Sequence, residues 1–130
     1  DRYKIDGDGL MATILVVDDS ASMRQMVEFT LKEAGHRVMV AEDGQVALNL
    51  ARGAPADLVI TDVNMPNMDG ITLIKELRTL PAYKFTPILI LTTEATTEKK
   101  MEGKGAGATG WIVKPFNPEK LLATVNKVLG

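Results

Sequence analysis

Short apolar runs separated by amphipathic ones constrain this chain more than any other feature of its sequence. "TILVVD" (13–18), "HRVMVA" (36–41), "DLVITD" (57–62), "TPILILTT" (86–93) and "GWIVK" (110–114) read as β-strands. The third is nearly continuous in apolar character, as strands covered on both faces are. Between them lie helical patterns. In "SASMRQMVEFTLKEAG" (20–35), Met23, Met26, Val27, Thr30, Leu31 and Ala34 share one face, and Gly35 stops the run. "GQVALNLAR" (44–52) ends at Gly53, and "ITLIKELRTL" (71–80), with Leu73, Ile74, Leu77 and Leu80 inward, is closed by Pro81. The last helix starts at an Asn117 N-cap, with Pro118 in its first turn and Glu119 against the positive dipole end.

Five strands alternating with five helices predict an α/β fold: a flavodoxin-like, doubly wound, five-stranded parallel sheet of order 2-1-3-4-5. The weak element is "TTEKKMEGKGAGA" (96–108). Gly103, Gly105 and Gly107 each cost up to about 1 kcal/mol relative to Ala in a helix interior. The segment has few apolar anchors, which predicts a short, easily frayed helix. Residues 1–10, "DRYKIDGDGL", read as an added tag or flexible arm ahead of Met11, leaving 11–130 as one domain. Their "DGDG" lacks the later ligands of a calcium loop.

The bulk numbers exclude several classes. No apolar run can span a bilayer, and no apolar core of a signal peptide is visible. The absence of cysteine removes disulfides, thiol catalysis and thiolate metal sites, and fits a cytoplasmic location. A net charge of −2 argues against nucleic acid as the main partner. Charge is uneven, however: residues 1–94 carry nine Lys/Arg against fourteen Asp/Glu, and 95–130 carry six Lys against three Glu.

In an open parallel sheet, ligands sit beyond the carboxyl ends of the strands. Those ends deliver Asp18 and Asp19, Asp62, Thr92 and Thr93, and Lys114 to one rim. Two unit charges about 6 Å apart cost roughly 3 kcal/mol at an effective dielectric of 20. A hard divalent cation relieves such repulsion, and an oxygen-only ligand set suits Mg²⁺, with Mn²⁺ or Ca²⁺ as substitutes. An acidic metal pocket with a lysine and a hydroxyl beside it is equipped for phosphoryl transfer. A carboxylate can itself accept the phosphoryl group. Asp62, alone at its strand end between Asp18/Asp19 and the Thr and Lys, is the candidate acceptor.

The motifs "LVVDDS", "DLVITDVNMPNMDG", "ILTTEA" and "GATGWIVKPF" resemble those of bacterial two-component receiver domains over residues 13–130, most like the single-domain chemotaxis members. The resemblance implies a phosphorylation-activated switch rather than an enzyme, its own chemistry limited to self-catalysed phosphoryl acceptance and slow loss. It implies phosphorylation of Asp62 by a histidine kinase or small phosphodonors. Mg²⁺ would be ligated by Asp19, Asp62 and the Asn64 main-chain carbonyl, with Asp18 acting through water. Thr92 and Lys114 would contact the phosphoryl group, and a cis bond would join Lys114 to Pro115. Trp111 would hold the switch position, where chemotaxis members carry Tyr. Turn chemistry together with the family's geometry makes Pro66 and Gly70 the residues that aim the metal-binding carbonyl.

The expected partner face is helix 4, strand 5 and helix 5, with Lys99, Lys100, Lys104, Trp111, Lys120 and Lys127 meeting an acidic segment of a flagellar motor switch protein or other target. A phosphatase is a possible further partner, and the chain is expected to be monomeric. Alternatives within the family are a phosphorelay intermediate or a receiver cut from a larger regulator. An Asp-nucleophile phosphohydrolase is more distant, because it wants an acid two residues past the nucleophile, where this chain has Asn64. "GAGATG" (105–110) matches G-x-G-x-x-G but opens a strand instead of a helix, against a dinucleotide site. His36 reads as a loop or strand-edge residue, and Met65 and Met68 as packing.

Overall fold

A computed structural model describes residues 11–130, so the tag reading of residues 1–10 lies outside the described residues. The strands are β1 (Thr13–Val17), β2 (Arg37–Ala41), β3 (Leu58–Thr61), β4 (Ile88–Thr92) and β5 (Gly110–Val113). They pair in parallel in the order β2-β1-β3-β4-β5, as the alternation of elements predicts. The helices are α1 (Ala21–Glu33), α2 (Gly44–Gly53), α3 (Gly70–Arg78), α4 (Thr97–Ala106) and α5 (Pro118–Leu129), with a 3₁₀ turn at Pro81–Tyr83.

Side chains alternate across each strand and so feed two cores. Ile14, Val16, Leu58, Ile60, Leu89 and Leu91 pack with Val27 and Leu31 of α1 and with Leu121, Val125 and Leu129 of α5. Leu15, Val17, Val59, Ile88 and Ile90 pack on the opposite face with Ala47, Leu48 and Ala51 of α2 and Leu73, Ile74 and Leu77 of α3. The central β3 and β4 are buried along their whole length, which explains their unbroken apolar character. Among the described residues, no helix is long and apolar enough to cross a membrane.

Two expectations change. Met26 is not part of the inward face of α1: it is 54 % exposed, and with Phe29 it lines a groove completed by Phe116, Pro118 and Leu122. Because α5 shares that face of the sheet, α1 buries only Val27 and Leu31 fully. The helix predicted to Leu80 ends at Arg78, where a 3₁₀ turn begun by Pro81 takes over. The fourth helix holds ten residues, as α2 does, within the predicted 96–108. Caps sustain it at both ends. The Thr96 hydroxyl accepts from the Lys99 N–H, and Gly107, left-handed at φ 115°, donates its N–H to the Gly103 and Lys104 carbonyls. The paucity of anchors stands, since Gly103 is its one buried residue.

His36, just before β2, is a buried structural residue whose Nδ1 accepts the Ala12 N–H at 3.1 Å. Arg78 ties α3 to two other segments. Its guanidinium donates to the carbonyls of Tyr83 (2.7 Å), Thr86 (2.7 Å) and Gly107 (2.6 Å), which joins the entry to β4 with the C-terminal end of α4.

Candidate functional site

Strand register builds the site. Val17 pairs with Thr61, and Thr92 with Val113, so the chain leaves the sheet at one level as Asp18, Asp62 and Lys114. Backbone bonds carry the ladder one step further: Asp18 N–H to Ala41, Asp62 N–H to Val17, and Lys114 N–H to Thr92. Parallel pairing thus brings together residues far apart in sequence, and buries Asp18, Asp62 and Thr92 while Asp19 stays exposed.

The Lys114 ammonium bridges the two buried carboxylates, 2.8 Å from Asp18 Oδ2 and 2.9 Å from Asp62 Oδ2. Burial works against the Lys114 charge. The hydrogen bonds and attraction of Asp18 and Asp62 outweigh it and hold the pKa above the ordinary lysine value. One carboxylate oxygen each from Asp18, Asp19 and Asp62 lie within 4.8 Å of one another. A single cation at that point would touch hard oxygen donors only, which fits Mg²⁺ and excludes soft metals.

The two buried acids are held in place. Asp18 Oδ1 accepts from the Ser20 N–H, and its carbonyl accepts from Arg24 at 2.6 Å. Asp62 Oδ1 accepts from the Val63 N–H at 2.6 Å, and its carbonyl accepts from the Thr61 hydroxyl. Behind Asp62 the loop is fixed by several close approaches. Asn67 is left-handed at φ 67°, Met68 N–H bonds the Pro66 carbonyl, and Gly70 N–H bonds the Val63 carbonyl. A Cβ at Gly70 would collide with the Asp62 carbonyl, so only glycine lets α3 start there. The Asn67 amide donates to Asp43, which also caps α2. The Val46 N–H and Asn67 hold the Asp43 carboxyl below the usual carboxylate range. Asn64 lies exposed in this loop, and the Lys114–Pro115 bond is cis.

Thr92 and Trp111 are linked through one residue. The Glu94 N–H donates to Thr92 Oγ1 at 3.2 Å, and the Glu94 carbonyl accepts from Trp111 Nε1 at 2.9 Å. The indole is half-buried on the α2–α3 side of the sheet. It also borders two surface grooves. One, of about 330 Å³, lies beside Lys100 and Lys104, and the other, of about 410 Å³, beside Lys120. Lys99 instead pairs with Glu102 at 3.4 Å, and Lys127 lies in the last turn of α5, lining neither groove.

Sequence reading missed Ser20, Arg24 and Glu94 as supports of the site. Ser20 had a signal, an N-cap residue directly after two acids. Arg24 had only its place one turn into α1, and Glu94 acts through backbone atoms that any residue carries.

The family model described as the response regulator receiver domain matches residues 14–126. The chain is 40 % identical over 116 residues to chemotaxis protein CheY-3 of Vibrio cholerae, covering 88 % of this chain and 89 % of that one. Its fold superposes on the structure of Vibrio cholerae CheY4 with a TM-score of 0.89 at 58 % identity, covering 92 % and 99 % of the two chains. It also superposes on the receiver domain of sensor histidine kinase PA1611 from Pseudomonas aeruginosa, solved with magnesium coordinated in its active-site cleft. There the TM-score is 0.86 at 27 % identity, with coverage of 95 % and 99 %.

Proposed function

This chain belongs to the response regulator receiver domain family, and on that premise we propose that it is a cytoplasmic, monomeric chemotaxis switch set by phosphorylation of Asp62. The observation that carries this reading is the convergence of three carboxylates on a point flanked by Lys114.

Asp18, Asp19 and Asp62, with the Asn64 carbonyl, would hold Mg²⁺, which when bound neutralises charge on phosphoryl oxygens. Magnesium in the active-site cleft of the PA1611 receiver supports the choice of metal. In the transfer, an Asp62 carboxylate oxygen forms a bond to phosphorus as the bond to the donor histidine nitrogen breaks. That nitrogen leaves with the bonding electron pair and takes a proton from solvent. Lys114 releases one of its two carboxylate partners to pair with a phosphoryl oxygen, and Asp18 keeps its charge in place.

Thr92 then turns its hydroxyl toward the phosphoryl group, giving up the bond from the Glu94 N–H. Because the Glu94 carbonyl holds the Trp111 indole, the loop from β4 to α4 and the aromatic side chain respond together. Grooves beside Lys100, Lys104 and Lys120 border that indole, which supports a change at a basic surface suited to an acidic segment of a motor switch protein or another target.

The test is Asp62→Asn. Incubated with Mg²⁺ and labelled acetyl phosphate or a phosphorylated kinase, the native chain should take up base-labile, hydroxylamine-sensitive label and the variant none. Equal labelling of the variant refutes the assignment of Asp62.

A further inference from the structure

Helix α4 carries Lys100 and Lys104 toward any partner, yet it has almost nothing with which to hold the sheet. Its one buried residue is Gly103, and Met101 is 68 % exposed. A Cβ built on Gly103 would stand 2.8 Å from Trp111 Cζ3, 3.3 Å from Trp111 Cε3 and 2.8 Å from Ile90 Cδ1. The helix backbone therefore lies directly on the six-membered ring of the indole. By contrast, a Cβ at Gly105, two residues on in the same helix, would meet nothing within 4 Å.

We propose that Gly103 is a positioning residue for the switch: a seat, open only because it has no side chain, through which α4 rests on the Trp111 ring. The indole is then the floor of α4 as well as a neighbour. At its far end the helix is held independently, by the Arg78 bond to the Gly107 carbonyl. When the indole shifts, the middle of α4 loses its support while the C-terminal end stays fixed. The basic face tilts, and movement at Glu94 becomes a change in how Lys100 and Lys104 are presented. This rests on the Asp62 switch reading, and it adds the residue that couples the aromatic to the partner helix.

Gly103→Ala and Gly105→Ala test it as a pair, because both gain the same helix propensity. Gly105→Ala should raise the urea midpoint and leave tryptophan emission and its response to Mg²⁺ with beryllofluoride unchanged. Gly103→Ala should shift emission to the red, increase quenching by acrylamide, speed amide exchange in α4 and lose most of the beryllofluoride response. In a Trp111→Ala background the ring is gone and the end of the Ile90 side chain can turn aside, so Gly103→Ala should change sign and become stabilising by circular dichroism. Should Trp111→Ala fail to fold, Trp111→Leu serves.

If Gly103→Ala matches Gly105→Ala in emission and response, or costs as much without the indole as with it, the seat is refuted. If beryllofluoride elicits no response from the native chain or from Gly105→Ala, the Asp62 reading fails instead. The red-shifted emission and the sign change on removing Trp111 would still decide the packing.

Discussion

Replacing Lys114 by Met removes the cation that bridges Asp18 and Asp62 while keeping an aliphatic stem of similar length. The side chains of Lys114, Asp18 and Asp62 are 10 %, 4 % and 10 % exposed, so solvent screens the stranded acids poorly. Two carboxylate charges at the 4.8 Å limit of the cluster repel by about 3.5 kcal/mol at an effective dielectric of 20. Breaking a buried pair from one side typically costs about 3–5 kcal/mol. The exposed Asp19 edge opens the pocket to water, which puts the expected loss at the lower end, about 3 kcal/mol.

With a urea slope of about 1.5 kcal/mol per molar, the unfolding midpoint should fall by about 2 M in EDTA. Magnesium should then return more to the variant than it adds to the native chain, because in the variant it alone offsets the acids. A ligand at about 100 times its dissociation constant contributes about 2.7 kcal/mol, nearly the whole deficit. Urea titrations at neutral pH, followed by circular dichroism and Trp111 emission, with EDTA and with saturating MgCl₂, read both effects. Equal midpoints in EDTA, or equal magnesium gains for the two proteins, would refute the electrostatic account of the pocket.

Arg78→Met leaves the Tyr83, Thr86 and Gly107 carbonyls without their shared donor. It should destabilise the fold by about 2 kcal/mol in urea, with amide exchange accelerated at the C-terminal end of α4 before the rest of the sheet. His36 is held below its ordinary pKa by burial, so the folded chain resists its protonation and the unfolded chain does not. Stability should therefore fall as pH drops below about 6.5 toward the depressed folded value. His36→Asn, which keeps an acceptor for the Ala12 N–H, should flatten that part of a urea-midpoint against pH curve. An unchanged slope would exclude His36 as its source.

Element types were legible because periodicity is local: a run such as Leu58 to Thr61 needs no tertiary information to read as a strand covered on both faces, and sheet order followed from their alternation with helices under right-handed crossovers. The rim was legible for the same reason. Parallel strands end at one level, so polar residues at their carboxyl ends must meet, and Asp18, Asp62 and Lys114 do. Met26 went wrong because an amphipathic stripe says which residues could be buried. How wide a strip of sheet α1 covers is decided by α5 beside it. The glycines of α4 were counted for their propensity cost, whereas its caps go unread in the sequence. Gly107 ends the helix favourably, and Thr96 begins it.

The sequence by itself determined the strands and helices, the rim at the carboxyl ends of the strands where polar residues gather, and the residue types available there, since each follows from covalent order and side-chain character. Only the tertiary structure decided that Lys114 spans both buried acids, that the Glu94 backbone joins Thr92 to Trp111, and that Gly103 seats α4 on an indole. These depend on distances of a few ångströms between segments remote along the chain, and on backbone atoms and missing side chains that leave no pattern in a string of residues.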